Sequence, residues 1–159
     1  MLLTKNETPI MNLSTTRQTR SNFIRLLSGL SLEAVNHIPE GFNNNLIWNF
    51  GHIIATQQLL TYSLSGLEPQ INEDILATFR KGTKPEKVHT TAELEGLKRL
   101  ALTTLEQLEA DLSAGLFKTF ESYPTSYGVE LTNIEEAIAF NGLHEALHLG
   151  YAMALKRAL

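Results

Sequence analysis

The apolar positions of the chain fall into four stretches of helical spacing, separated by polar breaks rich in Gly, Pro and Asn. The first is expected over residues 13–31, where Phe23, Leu26, Leu27 and Leu30 recur three to four apart. Arg17, Arg20 and Arg25 are read as lying off that stripe. The second stretch runs over 44–65. Leu46, Phe50, Ile53, Leu60 and Leu64 form one stripe, and Trp48, His52, Ala55 and Leu59 form its neighbour. So wide an apolar arc predicts a helix packed on more than one side. Pro39, Gly41 and a run of Asn mark residues 37–44 as a loop, and Gly66 and Pro69 close the second stretch.

The third stretch opens on Thr90-Thr91-Ala92-Glu93, the pattern of a capping box, in which hydroxyl and carboxylate satisfy free backbone donors. Leu94, Leu97, Ala101, Leu105, Leu108 and Leu112 then mark one face, and Gly115 stops it. The fourth opens on a similar pattern, Thr132-Asn133-Ile134-Glu135, and runs to Lys156 and Arg157, whose charges suit a helix C-terminus. Between the third and fourth, Phe117, Phe120, Tyr123 and Tyr127 predict an ordered aromatic loop over 116–131 with a short hairpin. The 66–90 connection is also long. The expected fold is all-α, a four-helix bundle with long connections. Residues 1–12 read as a flexible lead-in to a single domain over 13–159.

Composition narrows the function. Of 159 residues, 43% are hydrophobic, which suffices for a packed core. The net charge is −4, and the basic residues are scattered. Nucleic-acid binding, which asks for a basic face or stripe, is therefore not expected. The densest basic group, Arg80, Lys81, Lys84 and Lys87, reads as a solvated loop. No secretory pattern and no membrane-length apolar run is visible, so a cytoplasmic protein without a membrane partner is the expectation. The cysteine count is 0, which excludes disulfides, thiolate metal sites and a protein thiol nucleophile. A transition metal would have to be held by His, Asp or Glu.

There are 5 histidines. His144 and His148 lie four residues apart on the fourth helix, on one face and one turn apart, where they can share a metal. Asn141 and Tyr151 share that face and are candidate pocket residues. Residues 149–159 hold no Asp, Glu or His, so a third ligand is sought upstream. This argues against a zinc peptidase, whose third ligand normally follows the His-Glu-x-x-His pair. His52, one turn after Trp48 on the second helix, is the candidate. His37 and His89 read as ordinary surface residues.

The segment Asn45-Leu46-Ile47-Trp48-Asn49-Phe50-Gly51-His52-Ile53, followed by His144-x-x-x-His148-x-Gly150, resembles the DinB-like superfamily. The resemblance covers roughly 13–157. It implies a four-helix bundle, commonly dimeric, with metal ligands at His52, His144 and His148. It also implies relatives that use mycothiol or bacillithiol in transferase and isomerase reactions. Many members carry Gln where this chain has Tyr151, so a role of that Gln does not carry over. A divalent transition metal, zinc or nickel first, is the expected cofactor.

Three neutral imidazoles leave a coordination position open, which suits a catalytic rather than a closed structural site. Two reaction types follow as expectations: transfer of a low-molecular-weight thiol, or hydrolysis. A non-catalytic metal- or ligand-binding bundle is the alternative. Glu145 is a candidate general base, although it lies about 100° around the helix from His144. As a carboxylate in an apolar run it needs a partner, such as Asn141, a histidine nitrogen or another subunit.

Overall fold

The computed structural model describes residues 13–159. The expected flexible lead-in, 1–12, lies outside the described residues. The elements are α1 (Ser14–Ser28), α2 (Leu32–Asn36), α3 (Leu46–Thr61), α4 (Glu73–Phe79), α5 (Thr91–Ser113), β1 (Tyr123–Pro124), β2 (Glu130–Leu131) and α6 (Ile134–Arg157). The long helices α1, α3, α5 and α6 make a four-helix bundle. Both α1 and α3 pack against α5 and α6. α3 is the central element, and all of its residues except Thr56 and Leu59 are buried. That is the outcome expected of a helix with two adjacent apolar stripes. The main core joins Phe23 and Leu27 of α1, Ile47, Phe50 and Ile54 of α3, Leu97 and Ala101 of α5, and Ala152 and Leu155 of α6.

Caps account for most helix starts. The Asn45 side chain accepts a hydrogen bond from the Trp48 amide at 2.9 Å and starts α3. Thr90 and Glu93 form the expected reciprocal box at the start of α5. At α6 the motif sits one residue later than expected. Asn133, in extended backbone, is the cap and accepts from the Glu136 amide at 2.9 Å. The Glu136 carboxylate in turn accepts from the Thr132 amide at 2.8 Å. Asn is the stronger cap of the two candidates, so it takes the position.

Two stretches differ from the sequence expectation, and a third matches it. The stretch 13–31 is broken at Gly29, and Ser31 caps a separate short helix, α2. The 66–90 connection contains α4. The aromatic loop does hold a hairpin, in which Tyr123 pairs with Leu131 and Pro124 with Glu130. Its aromatics pack back on the bundle, Phe117 against Tyr62 and Tyr127 against Phe140.

Two residues read as surface groups are buried. Arg20 has no exposed area. It lies three residues before Phe23 and seven before Leu27, on the buried stripe rather than off it. His89 is also buried, stacked on Phe79 with ring centroids 5.4 Å apart. Its backbone amide donates to the Asn36 side chain at 2.8 Å, and its carbonyl accepts from Asn36 at 3.0 Å. His37 is exposed, as expected.

Candidate metal centre

The pairing of α3 with α6 brings His52, His144 and His148 together. Each offers one ring nitrogen, and the three nitrogens lie within 4.8 Å of one another. The ring centroids are 5.2 Å apart for His52 and His144, 4.7 Å for His52 and His148, and 4.5 Å for the α6 pair. Among the described residues this is the one group of three or more His, Asp or Glu side chains so arranged.

Neighbouring groups fix which nitrogens are free. The Nδ1–H of His52 donates to the Phe79 carbonyl at 2.7 Å, at the end of α4. Trp48, one turn earlier on α3, stacks on the same ring at 4.7 Å and 12°. Gly51 makes this possible. A Cβ there would overlap the Phe79 ring, so glycine lets α4 approach α3 beside His52. The Nδ1–H of His148 donates to Asn49 Oδ1 at 2.8 Å. The Asn49 amide group donates to Asn44 Oδ1 and to the Asn45 carbonyl, at 2.9 and 2.8 Å, which turns its oxygen toward His148. His52 and His148 therefore each present an Nε2 lone pair, oriented through the hydrogen bond on the other nitrogen; the Thr56 hydroxyl lies 3.4 Å from that of His52.

The rings fit a divalent transition metal in charge as well. Burial lowers His144 to about 4, helped by His52. Burial, then His144 and His52, lowers His148 to about 3. Burial also lowers His52; the Phe79 hydrogen bond offsets part of that, and the Lys81 charge adds to it. All three are neutral at pH 7 and present lone pairs. The buried Nδ1 of His144 has no hydrogen-bond partner. An unsatisfied buried nitrogen costs about 1–3 kcal/mol, and it sits in the one cluster whose chemistry suits a metal. The cluster can thus hold a metal ion, with no carboxylate among its ligands.

A cavity of about 220 Å³ opens on His52 and His144. Leu59, Leu60 and Leu64 of the α3 side, Phe140 of α6 and Tyr123 of the hairpin give it apolar walls. Thr56, Thr125, Ser126 and Lys81 supply polar groups.

A match to the DinB superfamily spans residues 15–152. The chain belongs to the DinB superfamily. No match was found among curated proteins. The superfamily bundle expected from the Trp48/His52 and His144/His148 spacing is thus present, with the three histidines on its two central helices.

The other candidates stand elsewhere in this DinB-superfamily bundle. Glu145 points away from the cluster and is completely buried against Arg20. Asn141 donates to the Glu145 carboxylate at 2.8 Å. Tyr151 is 40% exposed and packs edge-on against Phe42, with centroids 5.7 Å apart. None of the three lines the cavity beside His52 and His144. The supporting groups that sequence reasoning missed are Asn49, Gly51, the Phe79 carbonyl and Lys81. Asn49 carries a signal: a polar residue three positions before His52 within the otherwise apolar run 46–55.

Proposed function

We propose that the protein is a metal-dependent enzyme that transfers a low-molecular-weight thiol to a small electrophile held in the cavity beside His52 and His144. The observation that carries this reading is the opening of that cavity onto two of three converging, neutral imidazoles. A divalent metal held there would supply Lewis acidity, lowering the pKa of a thiol or water and stabilising the anion. His52, His144 and His148 add no negative charge, so an ion held by them would keep its full attraction for an anion. Leu59, Leu60, Leu64 and Phe140 exclude water and hold the apolar part of the electrophile. The thiol loses its proton to solvent, its sulfur forms the new bond to carbon, and the leaving group departs with its electron pair.

Hydrolysis is the other reaction open to such a site. It fits less well, because no Asp or Glu among the described residues lines the cavity and Glu145, next to His144 in sequence, is committed to Arg20 and Asn141. The absence of a carboxylate from the cavity lining also favours a second reading, a metal- or ligand-binding bundle without turnover.

Protein purified without a metal-affinity tag, analysed for bound metal and assayed with electrophile and thiol panels, tests the proposal. One metal per chain is expected, with turnover that chelation abolishes and added metal restores. Bound metal without turnover across the panels would leave the binding module. Absence of metal from the wild type, with His144→Ala unchanged in metal affinity, would remove both readings.

The protein is further proposed to act as a homodimer through α6. Its exposed positions between 139 and 154 are Ala139, Leu143, Ala146, Leu147, Gly150, Tyr151, Met153 and Ala154, none of them charged. Positions 139, 143, 146, 150 and 153 alternate steps of four and three, the seam by which two helices pack together. The small residues in it permit close approach of a second copy.

A further inference from the structure

We propose that Lys81 makes the cavity a receptor for small carboxylates with an apolar body, binding the carboxylate at the rim while the body lies between the aliphatic and aromatic walls. This deepens, and rests on, the reading of that cavity as the substrate pocket. Lys81 lines the cavity together with His52. It has no ion-pair partner among the described residues, and no Asp or Glu shares the lining. A lysine among acidic neighbours would be neutralised internally; this one keeps its charge for a ligand.

Its backbone is held in place by the same turn that orients the metal centre. The Phe79 carbonyl at the end of α4 accepts from His52, and the chain then passes through Arg80, Lys81 and Gly82. Gly82 has φ +89°, a conformation that favours glycine, and it closes the turn. The Thr83 hydroxyl lies 2.8 Å from the Arg80 carbonyl and 2.9 Å from the Thr78 carbonyl, and accepts from the Trp48 indole at 3.0 Å. Lys81 is thereby carried on a braced turn beside His52. The remaining wall is chemically selective. Leu59, Leu64, Phe140 and Tyr123 suit a hydrocarbon or aryl body, and Ser126 offers a hydroxyl, that of Thr125 being held by the Val129 backbone. A single lysine matches a monoanion such as a carboxylate better than a phosphate dianion, which asks for more than one cation.

Calorimetric titration of the protein as purified, its metal content known, tests this with 4-phenylbutanoate, the neutral 4-phenylbutanamide and phenyl phosphate. The wild type is expected to bind the carboxylate on the order of tenfold more tightly than the amide, the scale of one charge-assisted contact. Lys81→Met should bring the carboxylate down to the amide's affinity, and Lys81→Arg should keep the preference. Metal content should be the same in all three proteins. Equal affinity for carboxylate and amide in the wild type, no binding of either, or a tighter phosphate ester overturns the proposal. A preference that survives Lys81→Met but disappears on chelation also overturns it, assigning the carboxylate to the metal. Loss of the metal reading itself would appear separately, as wild-type protein without bound metal.

Discussion

Arg20 and Glu145 form a bidentate ion pair in the centre of the bundle, with neither side chain exposed to solvent. Nε donates to Oε2 at 2.9 Å and Nη2 to Oε1 at 2.6 Å. The remaining guanidinium nitrogen, Nη1, donates to the Ala101 carbonyl and to the Thr104 hydroxyl, both at 2.8 Å. The pair ties α1, α5 and α6 together on the side of α6 that faces away from the histidines. Glu145 adjoins His144 in sequence, yet helical geometry sends the two side chains into different parts of the bundle.

Removing one partner should be far worse than removing both. Arg20→Met leaves a buried carboxylate uncompensated and should destabilise the fold by about 3–5 kcal/mol. The double variant Arg20→Met/Glu145→Leu should recover most of that loss, because apolar replacement of a buried pair is often close to neutral. Urea denaturation measures both. Glu145→Gln should lower the melting temperature while leaving metal content at the wild-type level. A Glu145→Gln protein that is fully stable but inactive would instead make Glu145 a catalytic group.

Asn49 acts on the metal through His148. Its Oδ1 holds the Nδ1–H of that ring, so Asn49→Leu releases both ring orientation and tautomer. Loss of such a supporting group typically costs roughly 10–100-fold in metal affinity. Competition with a chromogenic chelator reads this directly. Unchanged affinity would show that the hydrogen bond plays no part in holding the metal.

Gly51 is needed for a close contact. In Gly51→Ala the new methyl meets the Phe79 ring, which belongs to a well-packed helix end. The expected cost is about 1–3 kcal/mol, the usual scale of overpacking. Because the Phe79 carbonyl also orients His52, metal affinity should fall together with stability. A loss of stability alone would mean that α4 shifts without disturbing the histidine.

The bundle and its histidine set were legible because both rest on helical periodicity. Apolar residues at three- and four-residue spacing place α3 and α6 without tertiary information, and His52, His144 and His148 follow from the faces they occupy. What periodicity does not carry is the partner of a polar residue inside the core. The position of Arg20 relative to Phe23 and Leu27 puts it on the buried stripe, but the Glu145 carboxylate that makes its burial tolerable lies 125 residues away. Nothing local signals the burial of His89, which depends on stacking against Phe79 of a short helix and on Asn36, 53 residues back. The Phe79 carbonyl that orients His52 belongs to a short helix hidden in a polar connection. Lys81 sits in that same connection and is exposed, as composition suggests; what only the fold supplies is its place beside His52 on the cavity.

The uncharged face of α6 should be sensitive to a single charge. Leu147, exposed beside the seam one turn after Leu143, is 49% accessible in the isolated chain. Leu147→Glu leaves a lone monomer nearly unaffected but would place two like charges near each other across a two-fold seam. Light scattering should show a dimer for the wild type and a monomer for Leu147→Glu, at equal helix content by circular dichroism. A wild type that is monomeric at all practical concentrations would refute the dimer.

Acid should destabilise the metal-free protein, and the sign follows from the histidines. Burial, aided by the neighbouring imidazoles, holds His148 at about 3 and His144 at about 4 in the folded chain. In the unfolded chain a histidine titrates near 6.5. As pH falls below about 6.5, the unfolded chain takes up protons that the folded chain refuses, and stability falls with it. The contribution is complete above about 6.5, is lost as pH drops toward 4 and then 3, and levels off below those values. His148 has the wider window. Denaturation of chelator-treated protein at pH 7.5, 5.5 and 4.5 should therefore give a steadily falling free energy of unfolding. His148→Leu removes one of the titrating groups and should flatten the profile. Metal-loaded protein should fall more steeply over the same range, because protons also compete with the metal for the same lone pairs. A metal-free profile that rose toward acid pH would show that the buried rings carry charge in the folded state, and would count against three neutral ligands.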